Sequence, residues 1–192
     1  DRLKRLGLKQ APSGTAVIAG SEGSRSLLLE AQALVSKTSY PNPRRVVNGW
    51  DYNRLLQLLA VLEQKVGLSL SGYDVYVNIV GGLEFSDPSG DLGIAAAVAT
   101  SLLDRSLDPG LVLIGEVGLT GELRPVASLN QRLKEAQKLG FRKAIVPKGN
   151  LPLEVNVDQI EVAGVEFLKE ALSLVMPGIN VGEKVGSPTS TY

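Results

Sequence analysis

The sequence predicts one α/β domain, of the α+β kind, in which helices pack on a mixed sheet. Apolar runs of strand length alternate along the chain with runs whose leucines or alanines recur at helical spacing. This alternation is typical of a sheet that is covered by helices. With 192 residues the chain can bury a sizeable core, and no internal repeat is visible.

The predicted strands share an apolar composition and are mostly bounded by Gly, Pro, Asn or Ser. They cover residues 15–19, 27–35, 45–47, 73–80, 111–114 and 143–146. Residues 73–80 show the polar–apolar alternation of a half-buried strand most clearly.

Helices are predicted where apolar residues recur at helical spacing. Asp51 is placed to cap a helix that runs to about Val66, and the alanine-rich segment 91–103 indicates a buried helix. Ser128 is predicted to cap a helix over 129–139, which Gly140 would end in a left-handed conformation. A last helix is predicted over 165–175.

The ends of the chain differ in composition from its centre. Residues 1–13 are basic and then turn-like, which predicts a linker from an upstream domain. The domain itself is expected over 14–177. Gly, Ser, Pro and Thr predominate over 178–192, so we expect a loose tail there.

Several chemistries are excluded because the chain has no cysteine and no histidine. A thiol nucleophile, a disulfide, a Cys/His zinc site and a Ser-His-Asp triad all need at least one of these residues. The Gly-x-x-x-x-Gly-Lys-Ser/Thr segment of a P-loop ATPase is also missing; the turn-rich residues 20–25 lack its lysine and are interpreted as a turn between strands. We therefore expect no cofactor in this chain.

The 20 basic and 20 acidic residues give a formal net charge of zero. This balance argues against an autonomous, tight DNA binder, so any contact with nucleic acid must come from local clusters or from repetition in an oligomer. No apolar run approaches 18 residues and no signal-peptide pattern is visible, which predicts a cytoplasmic location without a membrane partner.

Three segments in order resemble the proteolytic domain of Lon. They are Asp87-Pro-Ser-Gly-Asp-Leu-Gly-Ile-Ala-Ala, Ile114-Gly-Glu-Val-Gly-Leu-Thr-Gly-Glu-Leu-Arg-Pro-Val-Ala-Ser-Leu-Asn-Gln-Arg-Leu and Gly140-Phe-Arg-Lys-Ala-Ile-Val-Pro-Lys-Gly-Asn. In that family a Gly-Pro-Ser-Ala-Gly turn carries the nucleophilic serine, and a later helix carries a lysine base. The resemblance implies the Lon-type, ribosomal protein S5 domain 2-like fold.

The segments Gly49-Trp-Asp-Tyr-Asn-Arg-Leu, Leu70-Ser-Gly-Tyr-Asp-Val-Tyr-Val-Asn and Gly115-Glu-Val-Gly-Leu-Thr-Gly-Glu-Leu-Arg-Pro-Val resemble the C-terminal region of the bacterial RadA (Sms) family. That resemblance implies a DNA repair and recombination ATPase that promotes branch migration as a hexameric ring. It also implies an upstream zinc finger and RecA-like ATPase, which would hold Zn, ATP and Mg. The partners implied for this chain are single-stranded or branched DNA and copies of itself, at the nucleoid.

The Lon resemblance, aligned on Gly93-Ile-Ala, places Asp91 at the serine position; aligned on Pro125-Val126 and Leu129, it places Arg132 at the lysine position. Arginine stays protonated because its pKa exceeds about 12, so Arg132 cannot serve as the base. We therefore predict no catalytic residues and no peptidase activity. Asp91 and Arg132 are predicted to form an ion pair in the old active site; two independent surface charges are the alternative.

Two nearby residues could rescue catalysis in principle. Ser89 precedes Asp91 by two residues in a predicted loop, and Lys134 follows Arg132 by two residues. Two residues along a helix turn a side chain by about 200°. We predict that neither side chain reaches the site.

Local basic residues supply the candidate DNA-binding surface, and no aromatic stacking pattern accompanies them. The candidates lie in a loop pair, on the helix 129–139 and around the strand that follows: Arg44, Arg45, Lys134, Lys138, Arg142, Lys143 and Lys148. Three alternatives stay open. The chain could be an active Lon-type peptidase, a protein-interaction scaffold without DNA contact, or the Lon-like domain of a magnesium-chelatase-type ATPase.

Overall fold

A seven-stranded mixed sheet forms the centre of the computed structural model, which describes residues 11–81, 84–154 and 157–179. The strands are β1 (Thr15–Glu22), β2 (Arg25–Lys37), β3 (Arg45–Asn48), β4 (Tyr73–Val80), β5 (Leu111–Leu113), β6 (Glu116–Val117), β7 (Leu123–Arg124), β8 (Lys143–Pro147) and β9 (Glu161–Val165). The order in the large sheet is β3-β4-β2-β1-β5-β8-β9, and β6 pairs with β7 in a separate hairpin. The predicted α/β class is confirmed.

Strand direction decides which ends of the strands meet. β2 runs antiparallel to β1 and β4, whereas the other neighbours in the sheet pair in parallel. β1, β3, β4, β5, β8 and β9 therefore all point the same way. Their carboxyl ends share one edge of the sheet, and their amino ends share the opposite edge.

The helices are α1 (Tyr52–Val61), α2 (Asp91–Leu103), α3 (Leu129–Lys138) and α4 (Leu168–Val175). A π-helical turn, Leu62–Val66, continues α1 to the predicted end of that helix. The predicted cap at Asp51 is confirmed, because its carboxylate accepts the Arg54 backbone N–H at 2.8 Å. Gly140 follows α3 with a φ of 90°, which confirms the predicted left-handed stop.

Two helix predictions are wrong at the amino end. Ser128 precedes α3 with a left-handed backbone, φ 59°, and makes no capping hydrogen bond with its side chain. A capping serine normally has an extended backbone, which aims its hydroxyl at the first turn. The last helix begins at Leu168 instead of Val165, because Val165 pairs with Pro147 at the end of β9.

The hairpin β6–β7 and the edge strand β9 were not predicted. β6 and β7 have only two residues each, too few to show a period. β9 has the sequence Glu-Val-Ala-Gly-Val, and apart from Val165 its residues are half-buried or exposed. A weakly apolar edge strand gives little pattern to detect.

Helices cover both faces of the sheet. α2, α1 and α4 pack together in the larger core, which includes Leu55, Ile94 and Leu172. α3 packs on the other face, where Leu133 and Ala136 meet strand residues of β1, β5 and β8. No described helix combines the length and hydrophobicity that a bilayer crossing requires.

The predicted linker and tail fall largely outside the described residues. Residues 1–10 and 180–192 are not described, so a loose tail and a linker stay predictions. Within the described part, the Ser13 hydroxyl donates to the Thr100 carbonyl at 3.0 Å, which ties the end of the predicted linker to α2.

Candidate functional site

The turn Pro88–Gly90 lies at the carboxyl edge of the sheet, immediately before α2. The Gly115 backbone N–H donates to the Ser89 carbonyl at 2.9 Å, and the Leu92 N–H donates to the Gly115 carbonyl at 3.0 Å. Gly115 follows the end of β5 by two residues. The chain after β5 therefore holds the turn at the edge of the sheet where α/β folds commonly place their sites.

Arg132 enters this site from α3 and has a side chain only 4% exposed. Its Nη1 lies 2.5 Å from Asp87 Oδ2, 2.7 Å from Ser89 Oγ and 2.8 Å from the Ala19 carbonyl oxygen. Its Nε donates to the Ala127 carbonyl at 3.0 Å. The charge of the buried guanidinium is thus balanced by Asp87, and its Nε and Nη1 both have partners within the protein.

Asp87 organises the start of the turn. Its carboxylate accepts the Ser89 backbone N–H at 3.0 Å and the Ser21 backbone N–H at 3.0 Å, in addition to Arg132. Partial burial acts to raise the pKa of Asp87, but the hydrogen bonds from Arg132 and Ser89 together hold that pKa below its usual value. Asp87 is therefore an ionised partner of Arg132 at neutral pH.

Asp91, at the first position of α2, is fully buried and has a different partner. Arg54 of α1 donates to it twice, with Nε 3.0 Å from Oδ1 and Nη2 hydrogen-bonded to Oδ2. The Val117 backbone N–H of the β6–β7 hairpin also donates to Oδ2 at 3.0 Å. Burial raises the pKa of Asp91, while the bonds from Arg54 and Val117 act in the opposite direction.

The predicted ion pair between Asp91 and Arg132 is wrong. Each residue is buried in an ion pair, but Asp91 bonds Arg54 and Arg132 bonds Asp87. The reason is the layer from which each arginine comes: α1 packs with α2 on one face of the sheet, and α3 lies on the other. The alternative of two independent surface charges is wrong too.

The prediction that Ser89 does not reach the site is also wrong, since Ser89 is 1% exposed and its Oγ contacts Arg132. The resemblance to the Lon turn could have indicated the position of Ser89 if it had been aligned differently. The Gly-Pro-Ser-Ala-Gly turn can be aligned on Pro88-Ser89, which places Ser89 at the serine position and puts Asp87 and Asp91 where the turn has its glycines. Lys134 is exposed while Arg132 is buried, which confirms that it turns away.

The groups around Ser89 are not arranged for acyl transfer. A serine nucleophile needs a neutral base for its proton, and a guanidinium cannot be neutral near pH 7. Backbone donors are also needed for the oxyanion of the intermediate. The N–H groups of Ser89, Gly90 and Asp91 already donate to the Asp87 carboxylate, the Asp87 carbonyl and the Pro88 carbonyl.

The DNA-binding candidates lie in three places. Lys134 and Lys138 are exposed on α3, and Arg142 and Lys143 are exposed at the amino end of β8, with Lys143 3.6 Å from Asp108. Because α3 ends just before β8, we call Lys134, Lys138, Arg142 and Lys143 the α3–β8 basic group. It contains most of the exposed candidate cations.

Arg44, Arg45 and Lys148 lie apart from the α3–β8 basic group. β3 is five strands away from β8 in the sheet, about 24 Å at the usual strand spacing, although both strands start at the same edge. The Arg45 guanidinium donates to the Leu70, Tyr73 and Arg44 carbonyls and so holds the loop before β3. Lys148 follows the other end of β8 and pairs with Glu166 at 3.1 Å.

Comparison with known proteins identifies similar sequences. Residues 57–150 match a family model described as subunit ChlI of Mg-chelatase. Proteins named DNA repair protein RadA are 51% identical in Synechocystis sp. (84% of this chain, 32% of the relative), 47% identical in Escherichia coli (86% and 36%) and 45% identical in Bacillus subtilis (86% and 36%). The chain is thus similar over most of its length to RadA-type DNA repair proteins and spans about a third of these relatives.

Proposed function

We propose that this chain is a non-proteolytic, Lon-like domain of a RadA-type DNA repair ATPase, acting as an assembly scaffold and a DNA-contacting surface. The similarity to proteins named DNA repair protein RadA supports the repair role. The observation that carries the non-proteolytic part is the permanent charge of Arg132 at hydrogen-bonding distance from Ser89 Oγ.

Proteolysis is tested directly by incubating the purified chain with unfolded casein. We expect no cleavage by the wild-type chain, and none by Ser89→Ala. Arg132→Lys is also expected to be inactive, because the Asp87 carboxylate would raise the pKa of a lysine placed beside it. Cleavage that the wild-type chain performs and Ser89→Ala does not would establish the alternative, an active Lon-type peptidase.

DNA contact is assigned to the α3–β8 basic group, which combines exposure with close spacing. The test is fluorescence anisotropy of labelled single-stranded and branched DNA over a salt series. Exchanging Lys134, Lys138 and Arg142 for glutamate is expected to weaken binding strongly, because phosphate contacts are lost. The dependence of binding on salt should also become shallower, because each phosphate contact contributes about 0.7 to the salt slope on a single strand. Lys148→Glu, a single charge reversal at the other edge, is the control for position and is expected to leave binding nearly unchanged.

Absence of binding by the wild-type chain to any DNA would favour the alternative of a protein-interaction scaffold. In that case the domain would act through assembly alone. The proposed parent is a homohexameric ring that drives branch migration at the nucleoid, in the cytoplasm, with ATP, Mg and Zn held by other regions. Light scattering of the full-length parent tests the ring directly.

The match to the Mg-chelatase family model supports the alternative of a magnesium-chelatase-type protein. It covers residues 57–150, a segment that contains α2 and the site turn. The matches to RadA proteins extend over 84–86% of the chain at 45–51% identity, and they favour the RadA-type reading.

A further inference from the structure

Tyr40 is an exposed aromatic residue on a loop that many hydrogen bonds hold in place. The Tyr40 backbone N–H donates to Thr38 Oγ1 at 3.1 Å, and the Thr38 N–H donates to the Gly72 carbonyl at 3.0 Å. Pro41 and Pro43 restrict the backbone between Tyr40 and β3. These bonds and the two prolines restrict the loop backbone on both sides of Tyr40.

The carboxyl end of the loop is anchored to the sheet. The Arg44 backbone N–H donates to Asp74 Oδ1 at 2.7 Å, and its carbonyl accepts the Val75 N–H at 2.9 Å. Asp74 is only 6% exposed, so its carboxylate is used inside the protein. Arg45 bonds the Leu70 and Tyr73 carbonyls behind the loop.

The anchored loop presents a tyrosine and an arginine together. The Arg44 guanidinium carbon lies 4.2 Å from the centroid of the Tyr40 ring, which is a cation–π contact over one ring face. Tyr40 is nevertheless 52% exposed. Tyr40 is thus held by the Arg44 contact and by the anchored loop, while about half of the residue stays open to solvent.

We propose that Tyr40 and Arg44 form a stacking site for a nucleobase of single-stranded DNA, an inference that rests on the proposed DNA contact. The open part of the ring offers a platform for a base, and the guanidinium offers a charge to the adjacent phosphate. Exposed Lys37, which ends β2 beside the loop, adds a second cation to the same edge of the sheet. Arg142 and Lys143 of the α3–β8 basic group lie at that edge as well, at the amino end of β8.

Base stacking is distinguished from phosphate contact by comparing an oligothymidine strand with an abasic strand of equal length. We expect Tyr40→Ala to weaken binding of the oligothymidine by about 5-fold to 150-fold, which is the range for loss of one stacked base. Binding of the abasic strand, and the salt slope on oligothymidine, are expected to stay as in the wild-type chain. Tyr40→Trp is expected to restore binding.

Tyr52 supplies the control, because this tyrosine on α1 is 48% exposed and lies outside the loop. Tyr52→Ala is expected to bind both strands like the wild-type chain, and equal melting temperatures verify that the variants fold. If wild-type binding falls with Lys134→Glu/Lys138→Glu but is unaffected by Tyr40→Ala, the stacking site is disproved and the DNA contact stands. If the wild-type chain binds neither strand, the proposed DNA contact itself fails.

Discussion

Ser89 lies between two carboxylate–guanidinium pairs that are largely buried. Asp87 pairs with Arg132 before the turn, and Asp91 pairs with Arg54 after it. The two carboxylates also accept backbone N–H groups: Asp87 accepts those of Ser21 and Ser89, and Asp91 accepts that of Val117. The pairs hold the turn in a single arrangement and occupy the groups that hydrolysis would need.

Removal of Arg132 tests how much the Asp87–Arg132 pair contributes to stability. Arg132→Ala is expected to lower the free energy of unfolding by about 3–5 kcal/mol, because it leaves a partly buried carboxylate and several acceptors without their donor. Urea denaturation gives the value. Lys134→Ala, an exposed change on the same helix, is expected to stay within about 0.5 kcal/mol of the wild-type chain. Equal effects of the two changes would contradict the proposed role.

The pH dependence of stability reports on Asp87. Its folded-state pKa lies below the unfolded value near 3.8, so its contribution to stability is complete above that value and is lost as the pH falls through the folded-state pKa. Asp87→Asn removes this contribution. The stability advantage of the wild-type chain over Asp87→Asn is therefore expected to shrink as acid is added below about pH 4, as measured by urea denaturation at several pH values. An advantage that grows with acid would contradict the assignment.

At the scale of elements, α2 and β1 approach closely because Gly93 has no side chain. A Cβ at Gly93 would lie 2.1 Å from Ile18 Cγ2. The alanine-rich composition of α2 serves the same close packing, and every residue from Asp91 to Thr100 is buried. The position of α2, and with it the position of the site turn, depends on this contact.

Gly93→Ala tests the close approach. We expect it to destabilise the fold by about 1–3 kcal/mol, despite the better helix propensity of alanine, because the added carbon must displace the buried Ile18 side chain of β1. Gly72→Ala is the matched control, since a Cβ there meets nothing within 4 Å. The melting temperatures of the two variants give the comparison. A Gly93→Ala variant as stable as the wild-type chain would show that the Ile18 side chain moves aside without cost.

The amino end of α3 makes a second prediction at this scale. Ser128 has a left-handed backbone and no capping bond from its side chain, so Ser128→Gly is expected to raise stability by up to about 1 kcal/mol. If Ser128 did cap the helix through its side chain, the same change would instead lower the free energy of unfolding by a few tenths of a kcal/mol. The sign of the change in the urea midpoint decides between the two.

At the scale of the whole molecule, a chain with zero formal net charge places most of its exposed candidate cations in the α3–β8 basic group. If the four cations of the α3–β8 basic group each contact a phosphate, the logarithm of the single-strand binding constant should fall with a slope near −3 against the logarithm of salt concentration. Affinity would then drop by about 50-fold between 50 and 200 mM salt. An unchanged affinity over that range would exclude phosphate contact as the source of binding.

Most of the strands and helices were predictable because their signals are local: α2, β4 and the start of α1 follow from runs of apolar residues and one capping aspartate. The hairpin β6–β7 and β9 were not, because short or weakly apolar strands exist only through their neighbours. The site shows the same division. Asp91 and Arg132 were identified, but their partners Arg54 and Asp87 were not, and Ser89 was predicted to lie away from the site.

The amino-acid sequence alone determined that this chain lacks thiol, imidazole and P-loop chemistry and that Arg132 cannot accept a proton, because these are properties of side-chain composition and of the guanidinium itself. Tertiary structure decided which carboxylate neutralises which arginine and that Ser89 lies against Arg132. The physical reason is that an ion pair forms between groups brought together from separate layers. Arg54 and Arg132 approach the turn from opposite faces of the sheet, and spacing along the chain carries no record of those faces.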